Sequence, residues 1–222
     1  MARGQGGLLC GPDTMRLLPL GGFAAIFPMW AVMMAAMMLP TIVPTLRAYQ
    51  HLPAAVGATV SGWWGVVASY VSVWLVGSAG FAALQVFALN NGFIDLSGVV
   101  SSPWAAAALF ALAGLWQLTR AKEVCQDACL SPMGYFLANW RPGVAGGMRM
   151  GVDIGLVCVG CCWAIMALAF VGGVMSLLWM GLATLFMVAE KLPEIGMRLR
   201  RPAGGLLLVA SIYMSLRALG WI

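Results

Sequence analysis

Gly151-Val-Asp-Ile-Gly-Leu-Val-Cys158-Val-Gly-Cys161-Cys162-Trp-Ala-Ile-Met-Ala-Leu-Ala-Phe-Val171 is a near-continuous apolar window whose one charged residue is Asp153. At about 1.5 Å per residue, roughly twenty such residues cross a hydrocarbon core about 30 Å thick as a helix. Five comparable windows accompany it, at residues 21–45, 63–89, 103–118, 173–189 and 204–221. Backbone polar groups inside a bilayer can be satisfied only within the protein, so a chain built this way folds as helices. The expected fold is all-α, a polytopic transmembrane helical bundle of about six spanning helices.

Composition points the same way. With 62% hydrophobic and 9% charged residues and a mean hydropathy of +0.93, the chain is neither an ordinary soluble domain nor a disordered tail. The expected organisation is an N-terminal tail at residues 1–20 and a single transmembrane domain at 21–222, with a cytoplasmic loop at about 119–150. The tail's Leu8-Leu9-Cys10 patch is too short for the apolar core of a cleavable signal peptide. The basic excess, 12 Lys+Arg against 7 Asp+Glu, is small and lies in loops, which argues for topology and against nucleic-acid binding. Nine of these cations follow the first, third and fifth windows and three lie elsewhere. Those three loops are expected in the cytoplasm and both termini in the periplasm, in a multi-pass protein of a bacterial inner membrane.

Smaller signals add detail. Trp63, Trp64, Trp104, Trp116, Trp140 and Trp221 stand near window ends, as an interfacial belt would require. Pro40 and Pro44 are expected to kink the first helix rather than end it. Gly172-Gly173 leaves room for a tight turn only, so the flanking helices should form an antiparallel hairpin. Gly151-x-x-x-Gly155 lets a neighbouring backbone come close.

The chemistry-bearing residues are sulfurs. Cys158, Cys161 and Cys162 fall on one helical face at i, i+3 and i+4. For a helix entering the bilayer near Gly151 they lie roughly 10–15 Å inside, near mid-membrane. Met33/Met37 and Met34/Met38 form two ridges at i+4 on the first window. Thiolates and thioethers together select copper(I), which needs only two or three soft donors. Zinc is possible but prefers four ligands in a tetrahedron, and the single His51 leaves little for haem. The alternative for both sulfur groups is plain packing, since Cys and Met fill apolar gaps well.

Cys125 and Cys129, at i and i+4, are expected on a short helix of the long loop, as a metal intake pair, a dithiol switch or simple loop thiols. Arg120 and Lys122 nearby should lower their pKa. Asp153 and Glu190 are candidate gate residues, because ionisable groups inside spans are costly. Local pairing, with Arg149 and Lys191 respectively, would satisfy them instead.

Several motifs recur together: Trp30-Ala-Val-Met33-Met34-Ala-Ala-Met37-Met38-Leu39-Pro40; Trp116-Gln-Leu-Thr with the following Cys125 and Cys129; Ser131-Pro132; and Trp140-Arg-Pro-Gly. They continue through Cys158-Val-Gly-Cys161-Cys162-Trp163 and Gly173-Val-Met175-Ser-Leu-Leu-Trp179-Met180 to Glu190-Lys191. In these, the chain resembles a prokaryotic family of predicted metal-binding integral membrane proteins (domain of unknown function 2182), from about residue 30 to 192. The resemblance implies a membrane helical bundle with a metal-binding role. Many members of that family carry His just before the cysteine run and Tyr beside its first Cys. Here Ile154 and Val157 stand there, a departure from the family pattern that removes the resemblance's support for a nitrogen ligand from that helix.

The leading reading is a protein that binds or relays a soft metal ion, copper(I) first and zinc second, through a Cys/Met cluster within the bilayer, rather than an enzyme. Its expected partners are the lipid bilayer, the metal ion and a metal chaperone or subunits of a membrane complex, with no nucleic acid. Two alternatives stand beside it: a membrane thiol–disulfide oxidoreductase, and a non-catalytic assembly subunit whose sulfurs only pack.

Overall fold

A computed structural model of the chain describes residues 22–52, 57–174, 176–192 and 195–221; the N-terminal tail with Cys10 lies outside them. The described elements are α1 (Phe23–Gln50), α2 (Val60–Asn90), α3 (Pro103–Leu118), α4 (Arg120–Leu130), α5 (Pro132–Asn139), α6 (Gly143–Ala167, continued by the short helix Ala169–Gly172), α7 (Leu177–Glu190) and α8 (Gly196–Ala218). Among the described residues there is no strand, only a single bridge between Ile94 and Val100. The all-α expectation holds.

Three helices, α1, α2 and α6 with its extension, are long and apolar enough to cross a membrane. α3 and α7 are apolar but shorter, and α8 opens on Arg198, Arg200 and Arg201 before turning apolar. Helix boundaries run past the hydropathy windows: α1 continues to Gln50, α6 begins at Gly143 and α8 at Gly196. A change in side-chain polarity does not end a helix, because the backbone keeps the same hydrogen bonds in water or lipid. Pro28, Pro40 and Pro44 all lie inside α1.

α6 is the central helix: 61% of its apolar window is buried, against 33% for α1 and 22% for α2. It meets α2 through Gly147, Gly151 and Gly155. An added Cβ would collide with Gly62 O at Gly147, with Val66 O and Ser69 Oγ at Gly151, and with Val73 Cβ (2.9 Å) at Gly155. α8 approaches α3 in the same way, Gly114 against Gly204, and Ser211 Oγ donates to Ala107 O at 2.8 Å.

The hairpin expected at Gly172-Gly173 is present. Gly173 takes φ 93°, and Trp179 Nε1 on α7 donates to Leu168 O at 3.1 Å. Further along, Lys191 reaches Cys158, so the two helices run antiparallel. α3 ends and α7 ends at the same level of α6, near Cys158 and Cys161, where α4 lies across them.

Gly151→Ala should lower stability by about 1–3 kcal/mol through the clash with α2 backbone, outweighing a helix-propensity gain of about 1 kcal/mol. Gly80→Ala, with open space at its Cβ, should be neutral or stabilising. Thermal unfolding in detergent compares the two.

Candidate metal centre

α4 presents Lys122, Cys125, Gln126 and Cys129 on one face, at i, i+3, i+4 and i+7. Its first turn is capped by Thr119, whose Oγ1 accepts from Lys122 N at 3.2 Å. Lys122 has no solvent exposure, and its Nζ donates to Cys161 O at 2.6 Å and to Glu190 Oε2 at 2.9 Å. Gln117 Nε2 donates to Glu190 Oε1, and Gln126 Nε2 to Glu190 O, each at 2.9 Å. Outside this layer Arg200 pairs with Glu123 at 3.1 Å and donates to Thr119 O at 2.9 Å. Buried charge is tolerated only when paired and hydrogen-bonded, and here the partners come from α3, α4, α6 and α7.

This corrects one expectation directly. Glu190 does not pair with Lys191; it turns inward to Lys122, and Lys191 turns the other way. Lys191 Nζ donates to Cys158 Sγ at 2.9 Å and to Thr41 Oγ1 at 3.1 Å. Thr41 Oγ1 in turn donates to Met38 O at 2.8 Å.

Cys158, Cys161 and Cys162 are each buried, facing the interior together as their spacing required. Tyr70 Oη lies 3.4 Å from Cys158 Sγ, and Met38 Sδ lies 4.0 Å from it. The Cys129 thiol lies near Cys158 and Cys161 across the α4–α6 contact, and Cys162 lies near the same two. All five described cysteines are free thiols. Between Thr41, Tyr70, Cys129, Cys158 and Lys191 lies a cavity of about 20 Å³. That is room for one water-sized occupant and not for an organic molecule. Among the described residues, no group of three or more His, Cys, Asp or Glu side chains is placed to hold a metal ion.

The remaining sulfurs are distributed unevenly. Met34 and Met37 are buried in the same core as the cysteines, and Met33 packs half-buried against it. Met34 and Met38 border a second cavity of about 70 Å³ with Tyr70, Trp74 and Ser78. Cys125 sits against Gly160, so the loop pair splits between the cavity wall and the α6 backbone. Their expected acidification is not found. Burial and the neighbouring Cys161 push the Cys125 thiol up, outweighing Lys122. The hydrogen bonds that Cys129 makes with Cys158 and Cys161, with burial, push it up as well.

Asp153 is exposed and lies beside the Tyr135 hydroxyl, and the ion pairs among the described residues do not include it. Tyr135 borders the small cavity, so Asp153 stands near its rim and outside the sulfur group. Cys158, Cys161 and Cys162 stand near the middle of α6 with its extension, and they face the polar ends of α3 and α7 and the charged α4. They sit at a polar junction, not in a wholly apolar interior. Trp116 belongs to the same junction, donating to Gly160 O at 3.1 Å, while Trp64, Trp104 and Trp221 are exposed as a belt would have them.

The sequence places Lys122 beside Cys125 and Cys129 and offers Lys191 to Glu190, but it assigns neither to the buried sulfur group and leaves out Thr41, Tyr70, Gln117 and Gln126. Two signals marked them: Lys122 precedes Cys125 by one helical turn, and Gln117 is a buried amide in an apolar window.

The fold and these residues define an all-helical protein with membrane-length helices and a soft sulfur-rich interior. A family model described as PpoB2, copper chaperone, matches residues 27–214. The chain belongs to this copper-chaperone family, and its function is copper-related. The metal-related family expected from the motifs is thereby met at that level. No curated protein and no solved structure matches the chain.

Lys122→Met should cost about 3–5 kcal/mol by leaving Glu190 buried without its cation, and Lys122→Met with Glu190→Leu should recover much of the loss. Unfolding midpoints of the two variants measure this. Because burial raises the Cys125 thiol, its alkylation by iodoacetamide at pH 7.5 should be slower than that of free cysteine. The rate should climb only as pH passes above the ordinary thiol range. Mass-mapped labelling across pH 7–10 reads it.

Proposed function

We propose that this chain binds copper(I) at the junction of α1, α4, α6 and α7 and hands it on by ligand exchange. Cys158, Cys161 and Cys162 are the principal ligands, Cys129 the thiol through which the ion arrives, and Met38 the thioether nearest the cysteines. The observation that carries this reading is Cys158 Sγ at the wall of an ion-sized cavity. It has Met38 Sδ 4.0 Å away, Cys129 beside it and Lys191 Nζ at 2.9 Å. Each step adds one sulfur–copper bond before another breaks. The metal stays copper(I), and each cysteine that binds gives up its thiol proton.

The donor set suits copper(I) better than zinc. Two or three soft donors suffice for copper(I), whereas structural zinc takes a tetrahedron of four. Thiol–disulfide exchange needs an accessible thiolate. Cys158, Cys161 and Cys162 are buried, and the cavity beside them is too small for a second thiol substrate. An assembly subunit with sulfurs used only for packing has no need of an ammonium held against one of them. Cys125 serves as a secondary intake thiol and Asp153 as a rim residue at the gate, while Met33, Met34 and Met37 lie further along α1 as auxiliary donors. The chain sits in a bacterial inner membrane, with the 119–150 segment on the cytoplasmic side.

Anaerobic titration with copper(I) against a chromogenic chelator tests the proposal. Replacing Cys158, Cys161 and Cys162 together by Ser should weaken binding about 100-fold or more, and Met38→Leu about tenfold. A triple variant that keeps wild-type affinity sinks it.

A further inference from the structure

Lys191 is a cation already seated beside the cargo position. Its ammonium bridges Cys158 Sγ on α6 and Thr41 Oγ1 on α1 from the end of α7. The adjacent Glu190 does not neutralise it, because that carboxylate is held by Lys122 and Gln117. Among the described residues the ion pairs are Lys122–Glu190 and Arg200–Glu123, so no described carboxylate offsets Lys191. The groups facing its charge are Cys158, Cys162 and Cys129, with the Tyr70 hydroxyl.

We propose that Lys191 is a specificity-determining residue that restricts this site to a monovalent soft cation and disfavours divalent ions such as zinc(II). The inference rests on the copper(I) reading above and supplies a reason for its selectivity. Soft thiolates bind both copper(I) and zinc(II), so ligand type does not by itself separate the two ions. A fixed positive charge does. Its repulsion of a bound ion scales with the ion's charge, so zinc(II) meets twice the repulsion that copper(I) meets at the same point. A cavity of about 20 Å³ leaves little water to screen it.

The thiolate sulfur has more than one lone pair, so Cys158 can bind copper(I) while still accepting from Lys191. The ammonium remains in place as part of the loaded site.

The test compares wild type, Lys191→Met and Lys191→Arg as full-length protein in detergent without oxygen. Copper(I) and zinc(II) affinities are each measured by competition with chromogenic chelators. Lys191→Met should lower the copper(I)-over-zinc(II) affinity ratio by about tenfold or more, chiefly through tighter zinc(II), and Lys191→Arg should hold it within about threefold. A merely structural lysine would weaken both ions together and leave the ratio unmoved, which would overturn the inference. So would a ratio that falls equally in the Arg variant. Should Lys191→Met not fold, Lys191→Gln, which drops the charge and keeps a hydrogen-bond donor, decides by the same ratio. A wild-type protein that binds neither ion overturns the copper reading, and this inference with it. Copper(I) binding with an unchanged ratio overturns this inference alone.

Discussion

An ammonium with no access to solvent needs an anion within reach, and for Lys122 that anion is Glu190 at 2.9 Å. Lys122 stands in the first turn of α4 and Glu190 is the last residue of α7, so their pairing sets where both helices lie on α6. With Lys122 anchored, the same face of α4 brings Cys125 to Gly160 and Cys129 to Cys158 and Cys161. With Glu190 turned inward, the next residue is directed to the opposite side, and Lys191 meets Cys158. One buried ion pair thus positions both a thiol and a cation at the sulfur group.

α6 makes this possible by having two faces with different tasks. Gly147, Gly151 and Gly155 let α2 approach to backbone contact, which brings Tyr70 to Cys158. The cysteine face is left to α1, α4 and the end of α7. α3 and α7 are too short to run the full length of α6, and their polar termini meet it at the cysteines. The result is a small chamber bordered by Lys191, Thr41, Tyr70 and two thiols within a chain that is otherwise apolar, with room for one water-sized occupant.

The helical class and the inward cysteine face were legible in the residues. A twenty-one-residue window with one charge has few other solutions, and i, i+3, i+4 spacing puts three thiols on one side of any helix. The short helix carrying Cys125 and Cys129 was legible for the same reason. The helix ends were not, since α1 and α6 run on through polar residues where hydropathy falls. The roles of Lys122 and Lys191 were hidden by a rule that reads every loop cation as a topology signal. That rule concerns charge in water, and these two side chains are folded back into the protein.

Local periodicity is a property of the chain alone, so the all-α class, the cysteine stripe and the α4 face follow from spacing. Which sulfur stands next to which is a property of helices far apart in sequence: Met38, Tyr70, Cys129, Cys158 and Lys191 lie on or beside five different helices, and the bond from Lys191 to Thr41 joins positions 150 apart. No spacing rule connects residues at that separation. Packing connects them, through the close glycine approach of α2 to α6 and the charge pairing that ties α4 to α7.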